Sequence, residues 1–290
     1  MKEVLRYPQF LEVGKTTFDF SHRTYVMGIL NVTPDSFSDG GKYLSVEAAV
    51  ARGLEMVEQG ADIIDIGGES TRPKGVYGET HTVTADEELR RILPVIDDIR
   101  KRSDIIISVD TTKSVVAEQA VKSGASIIND ISGLKFDPKI ASVAAQYTAA
   151  LIVMHIQGTP ETMQLNPQYG DVVHEVFAEL QASVEQARKA GVQNIIIDPG
   201  IGFGKNLEHN LMLLKHLGEF RKLDLPVLIG TSRKGFIGTI LNNAPVDDRF
   251  EGTAATVAAA IMNGANIIRV HDVKAMKRVA MVIDAIQHAQ

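Results

Sequence analysis

The chain has 290 residues, 44% of them hydrophobic, and a formal net charge of -6. That length supports one large core or two small ones, and the acidic balance argues against nucleic acid as a partner while leaving local basic sites open. With no cysteine there is no disulfide, thiolate metal site or cysteine nucleophile.

The N-terminal stretch MKEVLRYPQFLEVGK lacks the apolar centre of a secretory signal. The longest apolar run, near Ala254–Met262, is too short and too alanine-rich to cross a bilayer. The expectation is a soluble cytoplasmic protein with no membrane partner. Phe10–Phe20 reads as a β-hairpin around Gly14-Lys15, within a segment of about 8–22 that could cap the N-terminal mouth of a barrel.

From Tyr25 onward one plan repeats about eight times: a short apolar run, a polar or glycine-rich loop, then a helical pattern. The predicted strands are Tyr25–Leu30, Asp62–Ile66, Ile105–Asp110, Ser126–Asn129, Leu151–His155, Asn194–Asp198, Pro226–Gly230 and Asn266–His271. Between them the i, i+3, i+4 spacing of helices recurs. It runs through Leu89, Ile92, Ile96 and Ile99, where Pro94 should kink the helix or start a second one. It returns through Val173, Val176, Phe177, Leu180, Val184 and Ala187, and again through Val273, Met276, Ala280 and Ile283. Continuous apolar strands separated by amphipathic helices mean a parallel sheet covered by helices. Eight such units favour a closed (β/α)8 TIM barrel of the α/β class over an open doubly wound sheet. No linker or charge block divides the chain, so residues 1–290 read as a single domain.

Polar residues recur where each strand ends, and in a barrel all those positions meet on one face. The first strand runs into Asn31–Gly41, NVTPDSFSDGG, a carboxylate-bearing loop that cannot pack a core. The second leads into GGESTRP. Later strands end at Asp110, at Asn129-Asp130 and at His155. The last three run into DPGIGFGK from Asp198, into GTSRKGFIG from Gly230, and into Arg269-Val-His-Asp272. Alternative readings stand beside each. Asp110 and Asp130 could N-cap the next helices. Asn129 could serve its local backbone, the glycines of DPGIGFG a tight turn only, and Lys234 and Arg233 a surface helix. His155 reads as structural or as a support behind the site. Arg269 and His271 alternate on one strand and face the same way, which is costly unless an anion or carboxylate meets them.

Two subsites follow. One is polar and deep, with Asp110, Asn129, Asp198 and Lys234 suited to a flat heterocycle rich in N–H donors. The other favours anions, with Arg269, His271 and helix N-termini, and Asn31 beside it offers an uncharged oxygen to a hard cation such as Mg2+.

Together these motifs resemble the dihydropteroate synthases across essentially the whole chain: MGILNVTPDSFSDGG, DIIDIGGESTRP, SIINDISG, MHIQGTPETMQ, IIIDPGIGFGK, GTSRKGFIG and RVHD occur in the family's order. The resemblance implies condensation of 6-hydroxymethyl-7,8-dihydropterin pyrophosphate with 4-aminobenzoate, giving 7,8-dihydropteroate and pyrophosphate for folate synthesis. It implies an SN1-like route, a Mg2+ cofactor and a homodimer. By resemblance Asp110, Asn129, Asp198 and Lys234 hold the pterin, with Met154 and Phe203 lining its pocket. Asn31, Arg269 and His271 take the pyrophosphate, with Mg2+ at Asn31. Thr71 and Arg72 belong to a second loop, while Phe37, Asp39 and Pro73 close over the aminobenzoate. Asp39 rather than Asp35 is the carboxylate assigned to the developing cation. The sequence departs from the family pattern at Gly235 and in a longer segment Lys74–Thr84. Both bear on aminobenzoate affinity and sulfonamide response.

Two competing readings share the barrel. A pterin-binding methyltransferase module has no need of NVTPDSFSDGG or SRK. A catalytically silent paralogue would have lost matched positions, and here every one is intact. A barrel aldolase would place a Schiff-base lysine on a strand, whereas Lys234 follows its strand.

Overall fold

The computed structural model describes residues 10–33, 42–69 and 83–289. Phe10–Val13 (β1) and Thr16–Asp19 (β2) form the antiparallel hairpin. Gly14 sits in its turn at φ +60°, a left-handed conformation suited to glycine.

Eight parallel strands follow: Tyr25–Asn31 (β3), Ile63–Gly67 (β4), Ile106–Asp110 (β5), Ile127–Asp130 (β6), Ala150–Met154 (β7), Ile195–Asp198 (β8), Leu228–Ile229 (β9) and Ile267–Val270 (β10). Their order is β8-β7-β6-β5-β4-β3-β10-β9. A bridge between Ile197 and Val227 joins the two ends of the sheet. The predicted (β/α)8 barrel is the fold. The predicted Pro226–Gly230 strand shortens to Leu228–Ile229, where Pro226 has no N–H to give to a ladder.

The outer ring is Lys42–Glu58 (α1), Ala85–Arg100 (α2), Ser114–Lys122 (α3), Lys139–Gln146 (α4), Val172–Lys189 (α5), Leu207–Lys215 (α6), Gly235–Ile240 (α7), Phe250–Met262 (α8) and Val273–Gln287 (α9). The second helix predicted at Pro94 does not form; α2 runs through it unbroken. Pro94 is exposed, so water can take the carbonyl that the missing N–H leaves free.

Period-two alternation sorts each strand into two cores. Outward residues such as Val26, Ile64, Ile107, Ile128, Leu151, Ile197, Ile229 and Ile268 pack against the helices. Inward residues at the N-terminal end, among them Tyr25, Ile63, Ile106, Ile127, Leu228 and Ile267, form a second cluster with Leu11, Val13 and Phe18 of the hairpin. The hairpin therefore plugs the N-terminal mouth with apolar side chains. Further along the strands the inward positions turn polar: Asp65, Ser108, Asp110, Asn129, Asp198 and Arg269. Chemistry is confined to the C-terminal end because the other end is sealed.

Candidate active site

Arg269, on β10, reaches across the barrel. Its Nε donates to Asp65 Oδ2 at 2.6 Å and its Nη2 to Asp110 Oδ2 at 2.7 Å. Burial works against the guanidinium charge, but Asp65 and Asp110 outweigh it and hold Arg269 above its ordinary pKa. The carboxylate that the sequence required opposite Arg269 is thus present twice. The two expected subsites are joined here by a direct bond: Arg269, assigned to the anion side, donates to Asp110, assigned to the heterocycle side. Burial pushes the Asp110 carboxyl up to about 7, with Arg269 pulling the other way.

Asp110 does not cap α3, whose N-cap is Lys113. Asp130 does not cap α4 either; its carboxylate accepts from the N–H and hydroxyl of Ser132 and from the N–H of Leu134, fixing the turn after β6. Asn129 donates from Nδ2 to Asp65 Oδ2 at 3.1 Å rather than serving its own backbone.

On the opposite wall, Asp198 ends β8 and accepts from the Gly200 N–H at 2.7 Å. Burial raises its pKa, with Lys234 opposing. Lys234 is not a surface lysine. It is the N-cap residue of α7, its Nζ donates to the Ile201 carbonyl, and it stands 4.5 Å from the centre of the Phe203 ring. Burial brings its pKa down to about 8. Phe203 packs on a small apolar cluster containing Met154 and Met163; Phe203 and Met163 line the cavity, and Met154 lies behind them.

The loop DPGIGFGK is more than a tight turn. Gly200, Gly202 and Gly204 are all left-handed, and a Cβ on each would run into His155, Lys234 and Gln157 respectively. Behind the loop lies Lys205, which the sequence reading left unassigned. Its Nζ meets three acceptors: His155 Nδ1 at 2.9 Å, Gly200 O at 3.0 Å and Phe203 O at 2.9 Å. Burial pulls its pKa well down, although three acceptors suit a charged ammonium. His155 is buried and drawn down to about 4, hence neutral, and its Nε2 lies 3.4 Å from Glu179. Through Lys205 it braces the glycine loop from behind.

Above these residues opens a cavity of ≈ 580 Å3 lined by Asn31, Phe203, Ser232, Lys234, Gly235, Arg269 and His271 among others. Asp110, Asn129 and Asp198 are not in its walls; they lie beneath it, each at most 9% exposed. A ligand that reaches Asp110 must therefore compete with Arg269. His271 Nδ1 is 2.9 Å from Ser232 Oγ. Arg233 is left-handed at φ +59° and donates twice to Asp272, so it does not start a helix. The helix expected to begin near Arg233 starts at Gly235, and the Arg233 N–H is taken by Thr253. A Cβ on Gly235 would meet nothing within 4 Å.

Asn31 ends β3 in the cavity wall, and among the described residues its side chain has no hydrogen-bond partner. No described group of three acidic, histidine or cysteine side chains could hold a metal by itself. A lone amide oxygen beside an anion-binding wall suits a cation that shares substrate phosphates and keeps waters, so the residues fit Mg2+. Asp35, Phe37, Asp39, Thr71, Arg72 and Pro73 lie outside the described residues, as does 74–82 of the longer segment.

The family model described as pterin binding enzyme matches residues 27–271, from β3 to His271. The dihydropteroate synthase of Synechocystis sp. is 50% identical over 282 residues, 97% of this chain and 96% of that protein. The chain belongs to the dihydropteroate synthase family. A solved dihydropteroate synthase from Xanthomonas albilineans with 4-aminobenzoic acid aligns with a TM-score of 0.89 at 40% identity, over 97% of this chain and 99% of that one. A second from that organism, in complex with 7,8-dihydropteroate, aligns at 0.85 and 38% identity, over 97% and 100%. Within this dihydropteroate synthase family member, the residues that sequence reading missed are Asp65, Lys205 and Ser232. A signal for Asp65 existed: it alternates with inward Ile63 and Gly67, so a charge had to face the barrel interior.

Proposed function

We propose that the cavity takes 6-hydroxymethyl-7,8-dihydropterin pyrophosphate, with the ring on Asp110, Asn129, Asp198 and Lys234 and the pyrophosphate toward Asn31, Arg269 and His271. The transferase activity itself, dihydropteroate formation in folate biosynthesis, follows from family membership. The observation that carries the site assignment is the convergence of two buried carboxylates and an amide beneath two half-buried cations at one barrel mouth. Carboxylates accept from ring N–H groups, and Lys234 can donate to a ring carbonyl or nitrogen.

The reaction is an SN1-like substitution. The bond from the pterin methylene carbon to oxygen breaks, and the electron pair leaves on pyrophosphate. The amine nitrogen of 4-aminobenzoate then forms the new carbon–nitrogen bond and loses a proton. Arg269 and His271 steady the departing charge. Mg2+ at Asn31, when bound, would neutralise pyrophosphate charge. By resemblance, Asp39 is assigned to the developing cation, Phe37 and Pro73 to the aminobenzoate together with Gly235, and Thr71 and Arg72 to the second loop. Nothing here needs a covalent enzyme intermediate.

The protein acts as a cytoplasmic homodimer. Among the described residues no helix is long and apolar enough to cross a membrane. Leu211, Met212, Ile240, Leu241, Phe250 and Met262 leave apolar surface exposed on the neighbouring helices α6, α7 and α8, which supports self-association.

Dihydropteroate formation from the two substrates, measured with Mg2+ and in excess chelator, tests the proposal. Turnover is expected only with the divalent cation; undiminished turnover in chelator would remove the metal from the account.

A further inference from the structure

We infer that Asp65, which is not itself in the cavity wall, is a positioning residue that sets the donor–acceptor specificity of the pterin subsite by fixing the orientation of the Asn129 amide. The inference rests on the proposed pterin subsite and deepens it.

Asp65 is fully buried on the inward face of β4. In register it lies level with Ser108, while Asn129 lies level with Asp110, one inward position nearer the mouth. Asp65 is therefore beneath Asn129, on the side away from the cavity. One oxygen, Oδ2, accepts from both Arg269 Nε and Asn129 Nδ2. A carboxylate oxygen engaged by a guanidinium N–H is an acceptor whichever proton state the other oxygen adopts. Asn129 must therefore turn its NH2 down toward Asp65.

An amide is planar with its two ends opposed in character. Once Nδ2 is committed to Asp65, Oδ1 is left for whatever sits above. The subsite then presents an acceptor from Asn129 beside the acceptors Asp110 and Asp198, so it selects a ring edge made of donors and rejects one made of carbonyls. Without Asp65 the amide could flip and offer N–H instead, and the selectivity would be lost. The same oxygen also holds Arg269, so its guanidinium stays anchored when a ligand takes Asp110 away from Nη2.

The test uses Asp65→Asn in the full chain, with calorimetric binding of 6-hydroxymethylpterin and of the counterpart ring whose exocyclic amine is replaced by a carbonyl. The amide introduced by this substitution would offer an N–H to Asn129 Oδ1 and release the flip. The parent should prefer the amino ring, and the variant should lose up to about tenfold of that preference, the scale of one neutral hydrogen bond. An unchanged ratio between the two rings, whatever the fall in overall affinity, overturns the inference, since a merely structural role would weaken both alike. Should Asp65→Asn not fold, neutron diffraction of the parent with bound pterin decides: deuterons of Asn129 facing Asp65 support the inference, and its carbonyl facing Asp65 overturns it. A parent that binds neither ring brings down the pterin assignment itself, and the inference with it.

Discussion

Arg269 and Asp110 are bonded at 2.7 Å across the floor of the cavity, so each offsets the other's charge in the free protein. A pterin that takes Asp110 frees one side of the guanidinium at the place where pyrophosphate would sit. In the proposed binding mode, ring binding and leaving-group stabilisation are coupled through this pair.

The first consequence is a narrow pH optimum. Burial places Asp110 at about 7 and Lys234 at about 8. Below about 7 Asp110 carries a proton and no longer offers a full acceptor to ring N–H. Above about 8 Lys234 loses its charge. The pH profile of kcat/KM for the pterin substrate, which reports the free enzyme, should therefore be bell-shaped with limbs near these values. In Asp110→Asn the acidic limb should disappear while the basic limb stays. Identical profiles for parent and variant would detach Asp110 from the ring.

A second expectation concerns Lys205. Lys205→Met removes the donor from two carbonyls and a histidine nitrogen, all behind Phe203. Leaving buried polar groups unpaired should cost about 2–5 kcal/mol of stability. Denaturant unfolding measures this directly. The glycine loop should also loosen, so pterin affinity should fall while the secondary structure, followed by far-ultraviolet dichroism, is kept. A variant as stable as the parent would mean that the loop holds its shape without Lys205.

Much of this arrangement was legible in the sequence, for identifiable reasons. The strands were found because two-sided burial makes them continuous apolar runs, and the site because polar residues at strand ends must converge. What was not legible depends on reach. Nothing in the order of residues says that Arg269 extends to Asp65 and Asp110 on strands from the other end of the chain. Nor does it say that Lys205 points inward while the Lys234 ammonium lies over Phe203. Arg233 looked like the first residue of a helix because its neighbours permit one; its left-handed backbone, pinned by Asp272 and Thr253, is a tertiary effect.

Gly235 gives a third expectation. Space around its missing Cβ is open, so Gly235→Ser should fold without strain. If the aminobenzoate carboxylate approaches the start of α7, an added hydroxyl should tighten it by about 0.5–1.5 kcal/mol, the worth of a neutral hydrogen bond. Pterin affinity should stay as it was. Competition binding that separates the two substrates checks this, and a serine variant that weakens pterin alone would reverse the orientation assigned to the site.

Order of binding follows from the same layout. The cavity wall contains Asn31, Arg269 and His271, the residues proposed to meet the pyrophosphate, and the resemblance assigns the aminobenzoate to residues that lie outside the described ones. Aminobenzoate should bind weakly to the free protein and much more tightly once pterin and pyrophosphate are present with Mg2+. Equilibrium binding in the two states measures it; equal affinities contradict it.

The most direct test of the account is calorimetric titration of 6-hydroxymethylpterin into the parent, Asp110→Asn and Asp198→Asn. Each substitution takes a charged acceptor from a buried ring, which should cost about 1.5–3 kcal/mol, or about ten- to more than a hundredfold in affinity. Two variants that bind pterin as the parent does would contradict the placement of the ring on these carboxylates.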